Sequence, residues 1–278
     1  MERIGKRRAM VQGGQIIPAG TIATQYFESV EKVIARMVKI TVRDVMALDD
    51  AFAMDGDEAF AMDASIASQA RILTNALRER FAQMFAKIAT PVAERMANSV
   101  KRDSALKVKS SLKDVAQDLT LKWDDSLADI YKSTVAVNVD LIKSIPERYL
   151  DQVQGSVMRS IQSGRGLADL QPALLKYGET SRNWAKNVSL DQTRKAYNGV
   201  AAARLQQLGC KKFKWCHSGG SNHPRKYHRD VLNGKIFRFD DLPHLDGPNE
   251  GEKGLPGQAI YCRCFMKPVF TFDEDGDE

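Results

Sequence analysis

The sequence has no apolar run approaching the ~18 residues needed to cross a bilayer. Its basic start, MERIGKRR, is followed by VQGGQIIPAG rather than by the apolar core of a signal peptide. No membrane partner is expected, and the chain reads as intracellular, where thiols stay reduced. Cysteine is scarce, with four residues in 278, which argues against a disulfide framework. No dominant basic block exists either: a net charge of +6 permits a polyanionic partner without demanding one. Paired carboxylates that would cradle magnesium are lacking near the histidines and cysteines. The duplicated acidic stretch DDAFAMDG/DEAFAMDA at 49–64 lacks the closing glutamate of a calcium loop and reads as an acidic joint between helices.

What is present is mostly amphipathic helix. Residues 1–20 have no sustained period and read as a flexible basic arm, and residues 21–146 as a helical body. Tyr26, Val30, Val33, Ile34, Met37, Val38, Val45 and Leu48, then Ile66, Ala70, Leu73, Leu77, Phe81, Met84, Phe85 and Ile88, recur at threes and fours, the spacing of one buried helical face. Lys101, Arg102, Lys107, Lys109 and Lys113 read as a solvated face. Pro91 either begins a new helix or kinks an existing one, and Pro146 breaks the pattern after Ile145. Further on, Leu167–Leu175 reads as a short helix ending near Gly178, with Ser181 capping the next and Gly209 closing it.

After Gly209 the character changes. All four cysteines and all four histidines lie between Cys210 and Pro268, so special chemistry is expected there. Alternation predicts strands at Lys211–Trp215 and Lys235–Phe239, the second after an Asn233-Gly234 turn. Pro243–Gly257 reads as a surface loop and Ala259–Thr271 as a last extended segment. The fold class is thus a mainly α N-terminal body followed by a small α+β, loop-rich C-terminal module spanning 147–272. Its helices occupy 147–208 and its β/loop part 210–272, and an acidic tail follows at 273–278.

Three readings of the His/Cys stretch remain open. A zinc ion could be held by Cys216, His228, Cys262 and Cys264, with His217 or His223 as substitutes, since zinc favours four tetrahedral N/S ligands. Cys262-x-Cys264 is tighter than the two-residue gap usual in zinc ribbons. Alternatively, His228 bonds a carbonyl and the cysteines pack as small hydrophobes, while Arg225 and Arg263 pair with Asp230, Asp240 or Asp241. In the third reading Cys216 and His217 are a nucleophile and its base, or His228 with Asn233 serves a metal nuclease; adjacent strand residues diverge, which weighs against the former. No cofactor is certain, and zinc is the one to test.

The order of blocks VQGSVMRSIQSGRGLADL at 153–170, DQTRKAYN at 191–198, FKWCHSGGSNHPRKYHRDVLNGKIF at 213–237 and LPGQAIYCRC at 255–264 resembles the phage head morphogenesis family, also called Mu F-like or minor head proteins. The residues carrying the resemblance are Asp191, Gln192, Thr193, Pro224, Arg225, His228, Gly234, Cys262, Arg263 and Cys264. Tyr261 departs from the pattern, standing where asparagine is common. The resemblance implies a non-enzymatic virion component inside the phage head, formed in the host cytoplasm during assembly. It implies association with the portal vertex and partners among the portal, scaffold and major capsid proteins. Packaged DNA, and a part in genome packaging or ejection, belong to the same expectation. The alternatives are a metal-dependent nuclease and a DNA-binding protein.

Overall fold

A computed structural model describes residues 8–54, 65–115, 119–163, 167–220 and 224–273. Residues 55–64 of the duplicated stretch 49–64, the Gly164–Gly166 turn, His223 and residues 274–278 lie outside them, while residues 49–54 continue a helix rather than a joint. Five helices carry the chain: α1 (Gly20–Met54), α2 (Ile66–Ser111), α3 (Asp125–Lys143), α4 (Ile145–Gln162) and α5 (Gln171–Gln207). Four strands, β1 (Arg8–Gln12), β2 (Lys212–Cys216), β3 (Ile236–Arg238) and β4 (Phe265–Asp273), make one antiparallel sheet in the order β1-β4-β2-β3. The mainly α chain with a small α+β C-terminal part is therefore the architecture observed.

The chain divides into two compact units, each built from separated segments. One comprises residues 24–95 and 135–189, the other 1–23, 96–134 and 190–278. This differs from the sequential division expected at 146/147, because α1, α2, α3 and α5 each contribute residues to both units.

The all-helical unit buries the predicted stripes. Tyr26, Val30, Ile34, Met37 and Val45 on α1, with Ala70, Leu77, Phe81 and Phe85 on α2, are shielded from solvent, whereas Val33, Val38, Leu48, Ile66, Leu73, Met84 and Ile88 are half-buried. The Tyr26 hydroxyl donates to Asn138 Oδ1 at 2.9 Å, so a polar tip is satisfied inside this core. Pro91 neither starts nor ends a helix but lies inside α2. Gly178 likewise does not end one: α5 runs through it unbroken. A Cβ there would sit 2.6 Å from Val38 Cγ2, so the glycine serves close approach of α5 to α1 rather than termination. Pro146 falls in the first turn of α4, where its missing N–H costs nothing.

The second unit contains the sheet. Phe213 and Trp215 alternate on β2 and are both fully buried, opposite Pro268 and Met266 of β4. The stretch 8–19 is not a free arm. β1 closes the outer edge of β4, with Met10 opposite Thr271 and Gln12 opposite Val269. Ile16 then bridges to Met266 and is completely buried. Met10 and Val11, then Ile16 and Ile17, stand side by side in a Gly-rich stretch without alternation, which carries too little pattern to announce a strand. In the same unit Lys101 stands 3.9 Å over the Trp123 ring, so the first residue of the basic cluster is held by a cation–π contact.

Candidate functional site

The site begins on the C-terminal half of α5. Asp191 and Asn198 are seven residues apart, two helical turns, and so share a face. Both hold the loop that precedes β4. Asp191 Oδ1 accepts from the Tyr261 N–H at 2.6 Å, while its other oxygen pairs with Lys195 at 2.8 Å. The Asn198 amide donates to the Pro256 carbonyl at 2.7 Å. Gln192 leans on the Asp191 carboxylate at 3.4 Å, and Thr193 is buried in the helix face.

That loop is sharply bent where an extended segment was expected. Tyr261 adopts a left-handed φ of 58° and the Cys262 N–H closes a turn onto Ala259 O at 2.9 Å. β4 therefore starts only at Phe265. The Asp191 carboxylate, by anchoring the Tyr261 N–H, stabilises a backbone conformation that a bulky residue rarely adopts. Beyond the bend, residues two apart face the same way. Cys262 and Cys264 are both buried, and Arg263 between them is exposed.

Opposite them comes His228, on a π-helical turn, Tyr227–Leu232, where the Asn233 N–H reaches back to the His228 carbonyl at 3.1 Å. Gly234, at φ 82°, completes the turn into β3, with Lys235 N–H donating to Leu232 O at 3.1 Å. His228 is 1% exposed and stands edge-on to Trp215, ring centres 5.2 Å apart. Its Nε2 lies 2.7 Å from the Leu245 carbonyl. A carbonyl can only accept, so Nε2 carries the proton and Nδ1 presents its lone pair. That lone pair faces Cys262 Sγ at 3.3 Å and Cys264 Sγ at 3.8 Å.

The ligand atoms of His228, Cys262 and Cys264 all lie within 4.8 Å of one another. Cys216 does not join this group among the described residues: it is half-buried on β2, its sulfur 3.8 Å from Lys214 O. Strand pairing places it opposite Phe265, next to Cys264, near enough to act on the Cys264 thiol but outside the group whose ligand atoms lie within 4.8 Å of one another. Cys210 is buried separately, 3.2 Å from Lys212 O and 3.6 Å from Val269 O. The His217 Nδ1 accepts from the Gly219 N–H at 3.2 Å.

The arginine pairings also differ from expectation. Arg225 donates to the Ile260 carbonyl at 2.9 Å and Arg263 to that of Gly220. The aspartates take nearer cations instead: Asp230 pairs with Arg229 at 2.6 Å, Asp240 with Arg238, and Asp241 with Lys253 at 3.0 Å. Pro224, Arg225, His217, Ser218 and Arg263 thus bound a cleft of about 380 Å³ that reaches the His228, Cys262 and Cys264 side chains.

Electrostatically the three groups act on one another. Hydrogen bonding with the neighbouring Cys264, and then with His228, outweighs burial and holds the Cys262 thiol well below the ordinary range. Cys264 moves the other way, pushed up first by that same contact and then by burial. Burial pulls the His228 imidazole down, but its bonds to Cys262 and to the Leu245 carbonyl prevail and leave it raised. One thiol is thus predisposed to be a thiolate beside an imidazole, the donor chemistry of a soft cation site. Sequence reasoning anticipated a carbonyl partner for His228, which is that of Leu245, but missed Asn198 and Gly257. The first could have been found from its position seven residues after Asp191.

These features define a class: a helix-backed antiparallel module fastened around a buried His/Cys cluster. Residues 151–267 match the model of the family described as phage Mu protein F like protein. That segment, less than half of the chain, is similar to the Mu F-like phage head family. An uncharacterized protein of Haemophilus influenzae is 30% identical over 192 residues, covering 66% of this chain and 41% of its own length. The uncharacterized protein YqbB of Bacillus subtilis is 22% identical over 270 residues, covering 91% of this chain and 81% of its own. The chain thus spans about two fifths of the Haemophilus relative and most of the Bacillus one. No solved structure matches.

Proposed function

We propose that this protein is a non-enzymatic minor head protein of a tailed phage, a virion component that acts in head morphogenesis at the portal vertex. The observation that supports it is the match of residues 151–267 to the Mu F-like family. The blocks that carry the resemblance are also coupled physically: Asp191 and Asn198 hold the loop 256–261 that leads to Cys262 and Cys264. In this reading the module is a rigid docking body, and its partners are portal protein and other head proteins, scaffold and major capsid protein among them. Packaged DNA is a further contact during packaging or ejection.

The test is mass spectrometry of purified particles, with cross-linking of the portal vertex. Detection in few copies, cross-linked to portal protein, supports the reading; absence from purified particles overturns it. The nuclease alternative has no carboxylate among the described residues lining the cleft to support a magnesium ion. Incubation with DNA and Mg²⁺, Mn²⁺ or Zn²⁺ separates the two, since cleavage abolished by His228→Ala would favour the enzyme.

A further inference from the structure

The buried His228, Cys262 and Cys264 group has a geometry that packing alone does not call for. Around a tetrahedral zinc with Zn–N of about 2.0 Å and Zn–S of about 2.3 Å, nitrogen and sulfur ligands lie about 3.6 Å apart. The Nδ1–Sγ distances are 3.3 and 3.8 Å, on either side of that spacing. The imidazole already has the tautomer a ligand needs, because the Leu245 carbonyl takes the Nε2 proton. Two thiolates would balance a divalent charge, leaving a neutral centre in a buried place, where an unpaired ion would be costly.

We propose that His228 Nδ1, Cys262 Sγ and Cys264 Sγ bind one zinc ion, with the fourth position open to the cleft beside Arg225 and Arg263. Binding releases two protons to solvent from the His228, Cys262 and Cys264 group, leaving two thiolates and a neutral imidazole that contributes its Nδ1 lone pair. Cys216 takes no part, in contrast to the four-residue set that the sequence alone suggests. An exchangeable fourth position, flanked by two guanidinium groups, takes water or a small anion. The site stands on these side chains alone and does not depend on a role in the phage head.

The experiment uses the full-length chain. After purification in zinc-supplemented, chelator-free buffer, elemental analysis is expected to give one zinc per chain. Cys216→Ala should keep that stoichiometry, and Cys262→Ser or Cys264→Ser should lower zinc retention at least tenfold. Because those variants could misfold, wild-type protein stripped of metal is also refilled with Co²⁺. The expected result is a thiolate-to-metal absorption band with intense tetrahedral visible bands that shift on adding thiocyanate. Wild-type protein that is folded but takes up neither metal overturns the proposal. So does loss of zinc on Cys216→Ala, and so does a cobalt spectrum indifferent to thiocyanate, which would mean a closed site.

Discussion

Replacing Gly257 with alanine tests the coupling between α5 and the loop ahead of the cysteines. Gly257 has φ 84°, and a Cβ there would overlap the Asn198 amide nitrogen and lie 3.3 Å from the Cys264 carbonyl. Two costs follow. The left-handed conformation costs a non-glycine residue about 1–2 kcal/mol. Displacing the Asn198 amide from Pro256 O breaks a buried hydrogen bond, worth about 1–3 kcal/mol when a group is left unsatisfied. Asn198 is 1% exposed, so water cannot replace the lost partner. Gly257→Ala should therefore cost about 2–5 kcal/mol in urea unfolding. Gly209, at φ 79° with nothing within 4 Å of the position a Cβ would take, isolates the first cost; Gly209→Ala should lose only about 1–2 kcal/mol. In an Asn198→Ala background the steric conflict is gone, and Gly257→Ala should fall to the Gly209 value. Equal costs for the two glycines, or additive costs for Gly257→Ala and Asn198→Ala, would refute the coupling.

Three further outcomes are expected. Phe85→Ala, at a fully buried site on α2, should cost about 3–5 kcal/mol in urea unfolding; a loss below about 1 kcal/mol would contradict that core. Asp191→Ala removes the acceptor of the Tyr261 N–H and should cost about 1–3 kcal/mol, whereas Asp191→Asn retains an acceptor and should recover most of it. Tyr149 is fully buried and its phenol is pushed up from 10.0 to about 12. Its contribution is intact below pH ~10 and is lost as pH rises to ~12, by about 1.4 kcal/mol per pH unit, because only the unfolded chain ionises there. Alkaline urea titrations of wild type and Tyr149→Phe should diverge in that window, and parallel curves would count against it.

The helical part of the fold was largely legible because long amphipathic periods repeat a signal many times. The Tyr26–Met37 and Ala70–Phe85 stripes were read from spacing and are buried as expected. Local punctuation was less informative. Gly178 and Pro91 look like helix breakers, yet neighbouring packing and a long helix around each override their propensity. β1 escaped notice because its partner, β4, lies more than 250 residues away, and its register is set by tertiary pairing rather than by its own alternation. At the site, the crowding of histidine and cysteine pointed to the stretch in which His228, Cys262 and Cys264 come together. Which of the four cysteines gather around His228 depends on the left-handed bend at Tyr261 and on the sheet register, neither of which local sequence announces.

The unit holding the cluster is larger than the segment that carries the family signature. Residues 151–267 supply Asp191, Asn198, His228 and both cysteines, but the sheet behind them is completed from elsewhere in the chain. β1 occupies the outer edge of β4, and Ile16 is buried against Met266. Without residues 8–16 that edge would present unpaired backbone groups, a template for association with another chain. The final turn of α2 belongs to the same unit: Gly14 N–H donates to the Ser111 carbonyl at 2.7 Å and Gly13 N–H to Pro268 O at 2.9 Å. The N-terminal stretch thus ties β4 to α2, while Asp191 and Asn198 tie the loop ahead of β4 to α5. β4 begins directly after Cys264, so both ties act on the segment that carries the cysteines. The orientation of the cluster therefore depends on three distant parts of the sequence. A short motif can mark such a site, but the position of its side chains is set by the whole unit.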